Sequence, residues 1–223
     1  VTPLVTIFSG VGLSMLIAAP IGAAASQVGT LIMWATEQAP LVMGILVSVI
    51  VGVALTLPIS SAAICAALGL TGLAGGAAVA GCCAQMIGFA VMSYKENGVG
   101  GLVSQGLGTS MLQMGNIVKN PRIWIAPTLA SAITGPLATC LFHFEMNGAA
   151  VSSGMGTCGL VGQIGVYTGW VSDIAAGTKA AITPMDWAAM VLLCFVLPAV
   201  LSVVFCEVER KLGWIKEGDL KLN

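Results

Sequence analysis

Charge is what this sequence most lacks. Only 8% of its 223 residues are Asp, Glu, Lys or Arg, where a soluble domain carries about 25%. A water-facing surface cannot be built from so few charges, so the chain reads as an integral membrane protein. A net charge of −1 leaves no basic footprint for nucleic acid. Histidine occurs once, too rarely for a histidine-based zinc site. None of the 7 cysteines stands in a CxxC pair. All sit among apolar residues or glycines and read as small packing hydrophobes. There is no GxxxxGKS/T, no GxGxxG after a strand, no HExxH and no Ser–His–Asp signature. No catalytic residue, metal or cofactor is therefore assigned. The chain opens Val1-Thr2-Pro3, without an initiator Met or a basic n-region. No signal peptide is read, and a processed, trimmed or partial product is expected.

Long apolar runs fill the rest. They are continuous and rich in Ala, Leu, Ile, Val and Gly, whereas a membrane barrel alternates polar and apolar residues over about 10-residue strands. The expected fold is all-α, a polytopic transmembrane helical bundle with re-entrant hairpins or half-helices. Residues 1–206 form one membrane transport-type domain and 207–223 a cytoplasmic tail. Val5–Trp34 is apolar, with Pro20 marking a kink or an irregular start, and Thr36-Glu37-Gln38 breaks it. Pro40–Leu57 is a clean span opening on a favoured N-terminal proline. In Ala62–Met92, Gly72, Gly76 and Ala80 recur every four residues, a spacing that brings helix backbones together in lipid. Gly75-Gly76 is an alternative break. Val99–Val118 is only half apolar and reads as an interfacial or inward-facing helix, or as a re-entrant element. Ile123–Phe142 spans, with Pro127 and Pro136 as kink points, and Trp187–Cys206 is the clearest span.

Between the last two spans lies Leu141–Gly169, the most polar part of the membrane region. It holds the only histidine, His143, with Glu145 two residues on, and then a run of glycines and small polar residues. Cations set the orientation. Lys95, Lys119, Arg122, Arg210, Lys211, Lys216 and Lys221 mark one side, leaving Lys179 on the other. With the tail in the cytoplasm, Ile123–Phe142 runs outward and Trp187–Cys206 inward. The stretch between them must begin and end outside, as a re-entrant hairpin or two half-helices. Ionisable and amide groups in such a place mark a polar solute site. Candidate binding residues are His143, Glu145, Asn147, Ser152, Ser153 and Gln163, with Gln85 and Asn116 from other segments. Competing structural readings stand beside these: His143 and Glu145 as an interfacial loop pair, Ser152 and Ser153 as helix caps, Gln85 as an interhelical hydrogen-bonding partner.

Three stretches carry a resemblance: PISSAAICAALGLTGLAGGAA (58–78), NIVKNPRIWIAPTLASAITGPLA (116–138) and MNGAAVSSGMGTCGLVGQIG (146–165). They resemble the phosphotransferase-system enzyme IIC-like membrane family, which includes perfringolysin regulator-like proteins. The resemblance covers roughly residues 1–170, and the chain looks like the C-terminal two-thirds of longer members. It implies a multi-pass protein of the bacterial inner membrane, working as a dimer. Such a permease binds and translocates a small polar solute, a sugar, while separate IIA and IIB proteins supply phosphoryl transfer. His143 and Glu145 correspond to the family's sugar-holding side chains by residue type only. Two other readings stay open: a non-transporting membrane sensor or regulator, and a permease for a non-sugar solute.

Overall fold

The computed structural model describes residue 11 and residues 22–222. The expected first span, Val5–Trp34 with its Pro20 break, lies largely outside the described residues. Residues 22–38 are helical (α1), so helix continues through the expected break at Thr36-Glu37-Gln38. Thr36 is buried and turns its hydroxyl back to the Ile32 carbonyl, 2.7 Å.

The chain then bends at Ala39 into α2 (Pro40–Thr56), whose first residue is the proline. α3 (Ser61–Leu68) is short. Ser60 caps it by accepting from the Ala63 amide, and Gly69 ends it in the left-handed conformation. α4 (Gly72–Met92) is unbroken through Gly75-Gly76 and is almost wholly buried. After it come α5 (Tyr94–Val103), a π turn and a 3-10 turn, and α6 (Met114–Lys119). α7 runs continuously from Pro121 to Leu141, despite Pro127 and Pro136, and closes in a π turn directly after Pro136. α8 (Val161–Ala175) is preceded by loop and 3-10 turns. α9 (Pro184–Lys211) carries a π turn over Leu192–Val196 just before Pro198. Proline lacks the N–H that would continue the α pattern, and the wider turn absorbs that loss.

Among the described residues, α4, α7 and α9 are long and apolar enough to cross a membrane. α2, with 17 residues, is shorter. α2 and α4 run side by side in the same direction, and α7 runs against both. The contact is backbone to backbone: a Cβ added at Gly81 would lie 2.0 Å from the Ser48 carbonyl oxygen. Gly76 faces something other than a helix. A Cβ there would lie 1.6 Å from the Phe144 carbonyl oxygen, so this glycine seats the Leu141–Gly169 stretch. Ser48 fastens α2 to α7 by donating to the Ser131 carbonyl, 2.8 Å. Three apolar clusters fill the bundle. All seven thiols are unpaired, and five are buried in this packing.

α4 defines two ends, a head at Gly72 and a tail at Met92. Seven of the eight Lys and Arg residues lie toward the tail, and Lys179 lies at the head. Residues 207–222 do not hang free. α9 continues to Lys211, and Ile215 and Leu220 are buried against the bundle.

Candidate functional site

Two folded-back segments converge inside this bundle, one from each end. The head segment leaves α7 at Phe142. Met146 pairs with Gly72 through two 3.0 Å backbone hydrogen bonds, which fixes it at the start of α4. It then descends along α4. Gly154 packs on Ser61, and Gly156 packs on Cys82 and Cys83. Gly156 has φ +53°, and a Cβ there would lie 2.8 Å from Cys82. Only glycine satisfies both conditions. α8 climbs back, with Gly165 against Gly148 and Gly169 against Asn147. At about 1.5 Å per residue, the segment reaches some 15 Å along α4 before turning.

The tail segment leaves α4 at Ser93, rises through α5 and returns through α6 to Pro121. Its turn, around Gly106 to Ser110, meets the other turn. The Thr157 hydroxyl donates to the Gly106 carbonyl. Beside this contact α2 ends, and the Thr56 and Ser110 hydroxyls share a 2.8 Å hydrogen bond. Gln85 of α4 ties the neighbourhood together. Its Oε1 accepts from Trp124 Nε1 (3.0 Å) and Thr56 (3.3 Å), and its Nε2 donates to Thr128 (3.2 Å). Thr56, Gln85 and Ser110 are fully buried. Every group in this hub is neutral.

At the head, a cleft of about 460 Å³ opens where the folded-back segment begins and ends. His143, Glu145 and Asn147 line it, with Trp170, Asp173, Lys179 and Asp186 from α8 onward. Asn147 Nδ2 donates to Glu145 Oε2 (3.1 Å) and to Asp173 Oδ2 (2.9 Å). One amide thus holds two carboxylates side by side and uses one oxygen of each. Lys179 pairs with Asp186 at 2.8 Å and lies 5.6 Å from the centre of the Trp170 ring. Trp187 meets Trp170 edge-on at 5.6 Å, so aromatic rings back the charged rim. His143 is exposed, with φ +44°. It follows the π turn of α7 and reverses the chain there.

This architecture of spans and opposed folded-back segments coincides with a family match. The family model for the phosphotransferase system EIIC matches residues 1–222. The chain belongs to that family. No curated protein and no solved structure matches it. The match extends past the 1–170 region of the sequence resemblance and takes in α8, α9 and the tail. It makes this EIIC chain a membrane protein of the permease type, with a substrate and with phosphotransferase-system components as partners.

The candidate binding residues of this EIIC chain fall into five places. His143, Glu145 and Asn147 share the head cleft. Ser152 and Ser153 are buried in the descending limb, where Ser153 donates to the Ala150 carbonyl at 2.7 Å. Gln163 is 8% exposed and donates to Cys83 at 3.2 Å, while its Oε1 has no partner among the described residues. Gln85 centres the hub. Asn116 lies near the tail, donating to Gln113 and to the Lys221 carbonyl. Sequence reasoning missed Trp170 and Asp173 in the cleft and Thr56, Trp124 and Thr128 in the hub. Asp173 was legible as an acid near an aromatic residue. The hub residues come from α2, α4, α7 and the 3-10 turn that begins at Ser110, and no local spacing marks them.

Proposed function

We propose that this EIIC chain is a permease for a small, neutral, polyhydroxylated solute, a sugar, and works by alternating access. The carrying observation is the hub. The two turns meet beside Gln85 among hydroxyls and amides, with no charged side chain among them. A charged solute passing here would be buried without a counter-charge, which costs far more than burying hydroxyls that find partners. Hydroxyls can exchange with Thr56, Ser110, Thr128 and the Gln85 amide. The head cleft serves as the outer vestibule. The Asn147-linked carboxylates leave an oxygen each for sugar hydroxyls, and Trp170 offers an aromatic wall. His143 and Glu145 act at this rim, Gln85 at the hub. Ser152, Ser153, Gln163 and Asn116 serve the folded-back segments whose movement opens the path.

The two segments are re-entrant hairpins in a bacterial inner membrane. The cation-rich tail end faces the cytoplasm, where IIA and IIB proteins phosphorylate the emerging sugar. Residues 1–206 form the membrane domain, 207–223 are cytoplasmic, and two chains assemble as a homodimer. A sensor reading is favoured by one observation, the fastening of the tail to the 94–119 segment. Uptake by vesicles separates the two.

The test is a thermal-shift screen of the purified chain against free sugars, sugar phosphates, polyols and small carboxylates. Ligand binding raises apparent stability by RT ln(1 + [L]/Kd). A free sugar is expected to shift the wild type, with the shift lost in Glu145→Gln, Asn147→Ala or Gln85→Leu. A response to carboxylates with none to sugars would overturn the reading.

A further inference from the structure

We propose that residues 214–222 are a displaceable strap that closes the tail-side mouth, seated in a slot that reads main-chain groups. The slot is built from side chains of α5, of the 3-10 turn that ends at Gln113, and of α6. Asn97 makes a reciprocal pair, donating to the Leu220 carbonyl and accepting from the Leu222 amide, both at 2.8 Å. Glu96 Oε2 accepts from the Leu220 amide at 2.8 Å, while its Oε1 holds Arg210 at 3.0 Å. Gln113 donates to the Leu220 carbonyl and Asn116 to the Lys221 carbonyl, both at 3.0 Å. Every one of these bonds to residues 220–222 goes to main chain.

What lies beneath the strap gives it consequence. Gln113 Nε2 also donates to Gln105 Oε1 at 2.9 Å, and Gln105 donates to Ser93 at 2.7 Å. Gln105, Gln113 and Ser93 are fully buried, and Asn116 is 8% exposed. This amide ladder runs inward along the hairpin whose tip meets Thr157. With the strap lifted, its outer rungs face water and can take a polar guest. Lifting is a local event. Within the segment only Ile215 and Leu220 are buried, and 216–218 are exposed. A unit that opens by uncovering two apolar side chains belongs to the low-stability end of a fold. Asn120 also fastens the segment, donating to the Trp214 carbonyl and to the Asp219 carboxylate at 2.9 Å each, and the Arg122 guanidinium lies 5.6 Å from the centre of the Trp214 ring. The strap's role as an exit gate rests on the permease reading.

The native Cys206 thiol is the reporter. It is 3% exposed and packs in one cluster with Ile215 and Leu220. The full chain is treated with a charged, membrane-impermeant maleimide, and modification is read peptide by peptide. Deuterium uptake is followed in parallel over 110–119 and over 72–86 of α4. Leu220→Asp and Asn97→Ala are expected to speed Cys206 modification and 110–119 exchange about tenfold or more, with 72–86 unchanged. Lys221→Ala is expected to match the wild type, because only its main chain is used. Wild-type rates in both Leu220→Asp and Asn97→Ala would overturn the proposal. So would acceleration that spreads over 72–86, since the segment would then be no separate unit. Neither readout needs a solute, so failure here leaves the permease reading standing, and absence of transport leaves the strap standing.

Discussion

Gly76 and Glu209 show two opposite demands on single residues. Gly76 has no room for a Cβ, because the Phe144 carbonyl oxygen occupies the place. Gly76→Ala must displace the hairpin and is expected to cost about 3 kcal/mol, the upper end for overpacking. At ~2–4 °C per kcal/mol for a chain of this size, the melting temperature should fall by roughly 6–12 °C. Gly115, exposed on α6 with nothing within 4 Å of a built Cβ, is the control. Gly115→Ala is expected to gain about 0.5–1 kcal/mol. Equal shifts in the two variants would contradict the seating of the hairpin on Gly76. Glu209 is 3% exposed, and neither carboxylate oxygen has a partner among the described residues. Leaving such a group unsatisfied costs about 1–3 kcal/mol. Glu209→Met is therefore expected to raise the melting temperature by a few degrees, and a fall would show that the carboxylate has a partner in the membrane-bound protein.

At the scale of elements, the two folded-back segments depend on each other through their turns. The head turn is held against α4 by Gly156, which combines a left-handed backbone with a 2.8 Å approach to Cys82. Gly156→Val is expected to lift the turn and open Cys82 and Cys83, both fully buried, to maleimide. Unchanged protection of both thiols would show that the turn does not seal this face. Much of this layer was legible in the sequence. Pro40, the polar 99–118 segment and the long run after Trp187 each found an element at nearly the expected residues. The reversal of Leu141–Gly169 was expected from cation placement, with its glycines and polar groups in agreement. The glycine pattern was harder to read. The four-residue spacing from Gly72 pointed to a helix contact, yet Gly76 receives a carbonyl from a loop, and the close helix approach falls at Gly52 and Gly81. Spacing marks which residues are small and cannot say which partner fills the space. Gln85 stood out as a polar residue in an apolar run, but its partners Thr56, Thr128 and Trp124 are ordinary residues in their own segments. They become a site only when three helices meet.

For the whole molecule, charge separates the ends and neutrality marks the middle. The tail end carries seven of eight cations, and the head carries the cleft with Glu145, Asp173 and Asp186. Single cysteines at Thr178 and at Gly218 are expected to react with an impermeant maleimide from opposite sides of right-side-out vesicles, Thr178→Cys from outside. Labelling of both from one side would contradict the arrangement of spans. Passage of a neutral hydroxylated solute past Gln85, as proposed, is measured as solute flux. Proteoliposomes holding only the purified chain are given each of a panel of radiolabelled free sugars, and equilibrium exchange is followed. Saturable exchange of at least one uncharged sugar is expected, lost in Gln85→Leu protein that still elutes as a folded species. Exchange of anionic solutes with no uncharged sugar moving, or sugar exchange at the wild-type rate in Gln85→Leu, would contradict that passage.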